Sequence, residues 1–325
     1  MLQPVKIPLK DASSRIAPAD VFLCSASFES RCKSLPEELQ AANFQQVFVC
    51  VNENFPHVTK TAGKQLQLLF GSRSRLVPMS TDDPLRTADS LHAAIDESIA
   101  AGLRKFLVDI TTFTHEGLLI LLRILQFRSI GSVDCGYTSA REYSVGDLDE
   151  RKWLSKGLGE VRSVLGYPGR VLPSKKLHLI IMAGFEADRA ERVILEYEPN
   201  TISLGLGDPN DSISPDHYKA NRIFYERLVE KYSNVLEFTF SCSDPEKTRS
   251  ALRKQVALLP DRNVLISPMN TKISTVGAAL VAFDDDAIQL CYATAHRYNE
   301  QAYSMPSDHC YYFSLELPTK RPEPA

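Results

Sequence analysis

The chain contains no run of about 18 or more apolar residues, so no transmembrane helix and no membrane partner are expected. The opening residues MLQPVKIPLKDASSR hold no apolar signal-peptide core, which places the expected location in the cytoplasm. Seven cysteines are present, yet none forms a CxxC pair or a Cys/His ligand spacing. That pattern excludes a disulfide framework, leaves no metal site to propose, and predicts reduced, buried thiols. Neither GxGxxG nor GxxxxGK[ST] occurs, so the usual dinucleotide and P-loop readings are weak and no cofactor is expected. No Ser/His/Asp order or carboxylate pair names a mechanism, and catalytic residues stay unassigned. A formal net charge of −3 argues against broad binding of a phosphate backbone.

What the chain does have is apolar residues, 44% of 325, enough for two domains of ordinary size. It reads as one plan used twice. An apolar strand at 21–26 runs into Ser27-Phe28-Glu29-Ser30-Arg31; another at 177–183 runs into Gly184-Phe185-Glu186-Ala187-Asp188-Arg189. The spacing differs by one residue. The first copy continues with strand 46–52, helix 57–71, strand 75–79 and helix 83–101, and the second with strand 200–205, helix 214–232, strand 235–240 and helix 244–259. Asp83-Pro84 and Asp244-Pro245 are matching helix starts, a capping carboxylate followed by proline in the first turn. A fourth strand, a polar turn and an apolar helix follow in each copy, and then a fifth strand. After it, Tyr137-Thr138-Ser139-Ala140-Arg141-Glu142-Tyr143 and Tyr292-Ala293-Thr294-Ala295-His296-Arg297-Tyr298 share Tyr, Ala and Tyr at equal spacing.

Alternation of strands with helices of 10 to 18 residues predicts βαβ units, so the expected fold class is α/β, two tandem Rossmann-like domains with mainly parallel sheets, related by internal duplication. Nearly continuous apolar strands fit sheets covered on both faces. The expected domains are 1–150 and 177–317. Between them, 151–176 reads as a basic linker rich in Gly and Pro, with six Lys or Arg and one Glu over 151–175; the tail 318–325 is expected to be disordered.

Open parallel sheets bind ligands beyond the carboxyl ends of their strands, where the strand order reverses. The loops after strands one and four border that crevice, and they carry the candidate ligand-binding residues. In the first copy these are Ser27, Glu29, Arg31, Asp109, Thr111, Thr114 and His115; in the second, Gly184, Glu186, Arg189, Asn270, Thr271 and Lys272, joined by Tyr298 after the last strand. Several have two readings. Thr111 and Asn270 fit either helix caps or phosphate ligands. Glu29 with Arg31, and Glu186 with Arg189, fit either a pair along a first helical turn or a phosphate-holding Arg oriented by its Glu. Lys272 opens a helix, where a cation opposes the macrodipole, so a phosphate is one reason for its presence. His115 holds the comparable place in the first copy. Tyr298 can stack on a base or cover the sheet edge.

The strand-four turn resembles the Asp-x-Thr-Gly-Gly-Thr-Lys motif of the CRISPR-associated Rossmann fold family. Asp109-Ile110-Thr111-Thr112-Phe113-Thr114-His115 follows it with both glycines and the lysine replaced, and Asn270-Thr271-Lys272 follows its end without the leading Asp. Two fused copies also resemble the SAVED domains of bacterial antiphage signalling systems, over about 20–143 and 177–304. The resemblance implies a cyclic-oligonucleotide sensor or regulatory subunit, with its ligand at a pseudo-two-fold interface between the copies. Its output would pass to a separate effector protein, and a homodimer remains compatible with it. Two alternatives stay open: a metal-independent enzyme cleaving a cyclic oligonucleotide or other phosphorylated nucleotide, and a non-catalytic scaffold subunit.

Overall fold

A computed structural model describes residues 3–143, 154–300 and 304–318. The chain divides into two compact units, one made of Met1–Glu142 with Ser304–Ala325 and the other of Tyr143–Tyr303.

In the first unit the elements run β1 (Val5–Pro8), α1 (Ala12–Arg15), β2 (Val21–Ala26), α2 (Arg31–Glu38), β3 (Gln46–Asn52), α3 (Pro56–Phe70), β4 (Ser74–Met79), α4 (Pro84–Ala100), β5 (Phe106–Asp109), α5 (His115–Phe127) and β6 (Ser132–Tyr143). The second holds β7 (Ser155–Pro168), β8 (Leu177–Met182), α6 (Ala187–Tyr197), β9 (Thr201–Gly207), α7 (Pro215–Lys231), β10 (Leu236–Phe240), α8 (Pro245–Leu258), β11 (Asn263–Pro268), α9 (Lys272–Asp284) and β12 (Gln289–Tyr298). The last strand, β13 (Ser304–Glu316), returns to the first sheet.

The first sheet has the order β1-β13-β6-β5-β2-β3-β4, and the second β10-β9-β8-β11-β12-β7. Within each, five strands are parallel and share one order: the first strand of the plan is central, the second and third lie on one side, and the fourth and fifth on the other. That is the Rossmann-like α/β arrangement, built twice. Strand order reverses between β2 and β5 in one unit and between β8 and β11 in the other.

The expected linker is corrected. Residues 155–168 form β7, antiparallel to β12, with Cys291 opposite Ser163 and Ala293 opposite Val161. Gly159 serves close approach, since a Cβ there would overlap Thr294 Oγ1 of the neighbouring strand, while Gly157 and Gly166 take φ +77 and +89, a conformation that favours glycine. The segment 309–317, expected in the second domain, pairs instead through β13 with β1, as in Ile7 opposite Cys310. Each fifth strand is thus flanked by a strand that does not follow it in the chain. The expected disordered tail lies almost wholly outside the described residues.

Local signals explain the elements. Asp83 caps α4 by accepting from Arg86 N at 3.0 Å, and Asp244 caps α8 by accepting from Glu246 N at 2.9 Å and Lys247 N at 3.1 Å, each with Pro in the first turn. All six residues of β2 are buried, as a strand covered on both faces requires. Below it Phe22 stacks on Phe44 at 5.1 Å and meets Phe70 at 5.5 Å. Helix α9 is buried from Ile273 to Phe283, and Gly277 admits α8, because a Cβ there would lie 2.6 Å from Thr248 Cβ. All seven cysteines are free and buried. Burial pushes the Cys32 thiol up to about 11 and the Cys50 thiol up to about 12, away from thiolate chemistry at neutral pH. Among the described residues no helix is long and apolar enough to cross a membrane.

Candidate functional site

In the first unit, the chain leaves β2 in a tight turn in which Ser27 Oγ accepts from Glu29 N at 3.2 Å. Arg31, the first residue of α2, is only 3% exposed, and a buried guanidinium needs its donors matched. Its Nη2 donates to Glu29 Oε2 at 2.6 Å, its Nε to the same oxygen at 2.9 Å and to Ser304 Oγ at 3.0 Å, and its Nη1 to the Thr138 carbonyl at 3.1 Å. Ser304 Oγ in turn donates to Glu29 Oε2 at 2.6 Å.

The second unit repeats this construction. Arg189 in the first turn of α6 donates through Nη1 to Glu186 Oε2 at 2.7 Å and through Nη2 to the Ala293 carbonyl, and Ser155 Oγ donates to Glu186 Oε1. Thr138 follows Tyr137 in β6 and Ala293 follows Tyr292 in β12; Ser304 opens β13 and Ser155 opens β7. Each unit therefore carries a quartet of Glu, Arg, a fifth-strand carbonyl and a serine from the flanking strand. The Arg189 guanidinium also lies 5.1 Å from the Tyr292 ring centroid. Burial works against the Arg189 charge, but Glu186 outweighs it and holds the pKa above its ordinary value. Of the two readings of the Glu and Arg elements, the geometry realises the pairing along the helix start.

The strand-four turns are built differently. In the first unit Asp109, 2% exposed, accepts from Thr111 N at 3.0 Å and from Thr111 Oγ1, while Thr111 Oγ1 accepts from Thr138 N at 2.9 Å. Thr138 is thus held on its N–H by Thr111 and on its carbonyl by Arg31. Burial pushes the Asp109 carboxyl up to about 7, against the opposing pull of the Thr111 bonds and of Arg31. Thr112 Oγ1 donates to the Ser25 carbonyl at 2.6 Å, stitching the strand-four turn to the end of β2. Thr114 caps α5 by accepting from Gly117 N at 3.0 Å, and His115 opens that helix half-buried.

In the second unit Asn270 Nδ2 donates to the Ala183 carbonyl at 2.6 Å, the counterpart of the Thr112 stitch. Asn221, reaching from α7, donates to the Ala183 and Gly184 carbonyls at 3.1 and 2.8 Å. Gly184 lets the loops touch, because a Cβ there would overlap the Met269 carbonyl oxygen. Thr271 caps α9 by accepting from Ser274 N at 3.1 Å and donates to the Cys242 carbonyl at 2.7 Å. Lys272 opens α9 half-buried, as His115 opens α5. The caps are Thr114 and Thr271; the cap reading of Thr111 and Asn270 is corrected, since both tie loops together. Tyr298 is half-buried, its hydroxyl pushed well up by burial first and by Tyr292 next. Phe185 joins His217 at 4.6 Å and Phe224 at 6.5 Å in one aromatic cluster.

Within the first unit the structure gathers Glu29, Arg31, Asp109 and Thr111 around Thr138, with Ser27 in the turn before Glu29 and Thr114 and His115 at the start of α5. In the second, Glu186 and Arg189 form one group with Ala293, and Gly184, Asn270 and Thr271 another with Asn221. Sequence reasoning missed Ser155, Ser304 and Asn221. The two serines open the strand after each fifth strand, so the duplicated plan itself held the signal. Asn221 carried none: it sits mid-helix among charged residues.

No protein-family model matches the chain, and no curated protein matches it. Among solved structures, NADPH-bound carbonyl reductase from chicken fatty liver is similar over 91% of this chain and 98% of that one, at 9% identity and a TM-score of 0.29. The apo form of AtPrR2 is similar over 74% of this chain and 85% of that one, at 13% identity and a TM-score of 0.23. The assignment of fold rests on the strand order itself.

Proposed function

We propose that the protein is a nucleotide-binding sensor or regulatory subunit, with cyclic oligonucleotides of bacterial antiphage defence as the ligand class and a separate effector protein as its output. One observation carries the reading: each unit builds the same carboxyl edge, where strand order reverses and a Thr-capped helix is opened by His115 or Lys272. A helix N-terminus beside such a switch point suits an anionic group. Each edge by itself suits one phosphate of such a ligand. Asn221 adds a buried Oδ1 acceptor that has no protein hydrogen bond among the described residues.

Calorimetric titration of the full chain with cyclic di-, tri- and tetranucleotides tests this. Saturable binding is expected, weakened about tenfold or more in Lys272→Ala with the melting temperature unchanged. A folded protein that binds none of them would sink the reading. Chromatography of the nucleotides after long incubation separates a sensor, which returns them intact, from a metal-independent nuclease, which does not.

A second reading, a non-catalytic scaffold subunit, is favoured by the stitches themselves. Thr112 to Ser25 and Asn270 to Ala183 tie together the loops that a dinucleotide would part. Failure of every nucleotide to bind would favour it.

A further inference from the structure

The opposite edge of the second sheet holds an arrangement that the fold does not require. Strand β7 ends with Pro168 opposite Gln289, the first residue of β12, and the chain then runs along the amino ends of the strands toward β8. Gly169, at φ +64, makes the turn in a cramped place, 2.8 Å from Gln289 N to an ideal Cβ. Asn263, 7% exposed at the start of β11, anchors the returning segment: its Oδ1 accepts from Leu172 N at 2.9 Å, and its Nδ2 donates to the Leu172 and Lys175 carbonyls at 2.9 and 3.0 Å. Arg170 N donates to the Ala287 carbonyl at 3.1 Å. The segment is therefore fixed at several points along its length.

Between it, the end of α8 and the turn before β12 lies a cavity of about 280 Å³. Leu172, Val256, Leu259 and Ile288 give it apolar walls. Its charged residues are Arg170, Lys175 and Arg262, with Asp285 as the one acid. Asp285 Oδ1 already accepts from Ala287 N at 2.9 Å within its own turn. Among the described residues none of the three cations is in an ion pair. Three like charges around one concavity repel, and a bound dianion removes that repulsion.

We propose that this pocket binds a nucleoside monophosphate, its phosphate held by Arg170, Lys175 and Arg262 and its nucleoside against the apolar wall. The volume lies just below the roughly 300–1,000 Å³ usual for small-molecule sites, which suits one nucleotide better than a cyclic oligonucleotide. It is a second site, at the amino edge, independent of the one proposed at the carboxyl edges.

The test is calorimetric titration of the full chain with AMP, and in parallel with adenosine and with inorganic phosphate. AMP should bind, and should bind more tightly than either fragment. Lys175→Ala and Arg262→Ala should each weaken AMP about tenfold or more, as loss of a charge-assisted contact does. Arg262→Lys should retain more affinity than Arg262→Ala, and Lys272→Ala should leave AMP affinity unchanged, which separates this site from the carboxyl edge. Melting curves of the variants establish that they fold. The proposal is overturned if AMP does not saturate, if adenosine or phosphate alone binds as tightly, or if folded Lys175→Ala and Arg262→Ala bind AMP like the parent chain.

Discussion

Arg31 donates through Nη1 to the carbonyl of Thr138 at 3.1 Å, so the first residue of α2 is fastened to the fifth strand of its sheet. Arg189 makes the same bond to Ala293. A carbonyl in the middle of a strand pair has little use for a charged donor unless something else must be held there. Here that is the loop after the first strand, carried by Glu29 or Glu186 on the far side of the guanidinium. The loop that would frame a ligand is thus set by a buried charge pair.

Removal of one partner should therefore be costly. Arg31→Met leaves the Glu29 carboxylate, whose side chain is 9% exposed, with Ser304 as its one hydrogen-bond donor among the described residues, and the expected loss is about 3–5 kcal/mol in urea denaturation. Converting both residues, Glu29→Gln with Arg31→Met, should cost less than Arg31→Met alone. A single-variant loss below about 1 kcal/mol, the range of exposed pairs, would show that the quartet does not hold the loop.

The strands, their helices and the duplicated plan were legible because each is a local matter of periodicity, caps and turns. The fifth strand's flanking partner was not. Placing β7 beside β12 and β13 beside β6 joins residues far apart in sequence, and no local pattern encodes it. Gly157 and Gly159 misled for a physical reason: Gly159 is small to admit Thr294 across the ladder and Gly157 takes φ +77 within the strand, and a linker uses the same residue to bend. The Glu and Arg of each quartet were legible as a repeated pair. Their carbonyl acceptors were not, since a main-chain oxygen leaves no residue-type signature.

Asp109 gives the first unit a pH response. Its folded pKa, about 7, lies above the ordinary value of 3.8, so the folded state binds the extra proton. The stability this contributes is fully present below about pH 4 and is lost as pH rises through about 7. Its size is roughly 4 kcal/mol at most, at about 1.4 kcal/mol per pH unit. Asp109→Asn should remove the dependence: the difference in unfolding free energy between parent and variant should shift between pH 4.5 and pH 8. A constant difference over that range would mean that Asp109 titrates normally.

His178 does the opposite in the second unit. It is fully buried on β8, with Nε2 2.7 Å from Ser203 Oγ. Burial, and after it the charge of Arg262, pushes its pKa down to about 4 from 6.5. The unfolded chain then binds a proton that the folded chain refuses. Stability from this group is present above about pH 6.5 and is lost as pH falls toward 4, by roughly 3 kcal/mol. Hydrogen exchange corrected for intrinsic rates should show β8 losing protection between pH 7 and pH 5, and His178→Gln should abolish the change. Equal pH dependence in parent and variant would remove His178 as the cause.

Gly184 is the sharpest test of the stitched loops. A Cβ at this position would overlap the Met269 carbonyl oxygen, a backbone atom that cannot rotate away as a side chain can. Gly184→Ala must therefore push the strand-four turn off the end of β8, straining the Asn270 bond to Ala183 and the Asn221 bonds beside it. Overpacking of this kind costs about 1–3 kcal/mol. Gly131 is the matched control: a Cβ there meets nothing within 4 Å, and its φ lies outside the left-handed region. Gly131→Ala should be neutral or stabilising by up to about 1 kcal/mol, because alanine restricts the unfolded chain without a clash. The two alanines should then differ by at least about 1 kcal/mol in urea denaturation, with Gly184→Ala the less stable. If Gly184→Ala is as stable as Gly131→Ala, the loops have room to part, and a ligand could enter where the stitches now close the switch point.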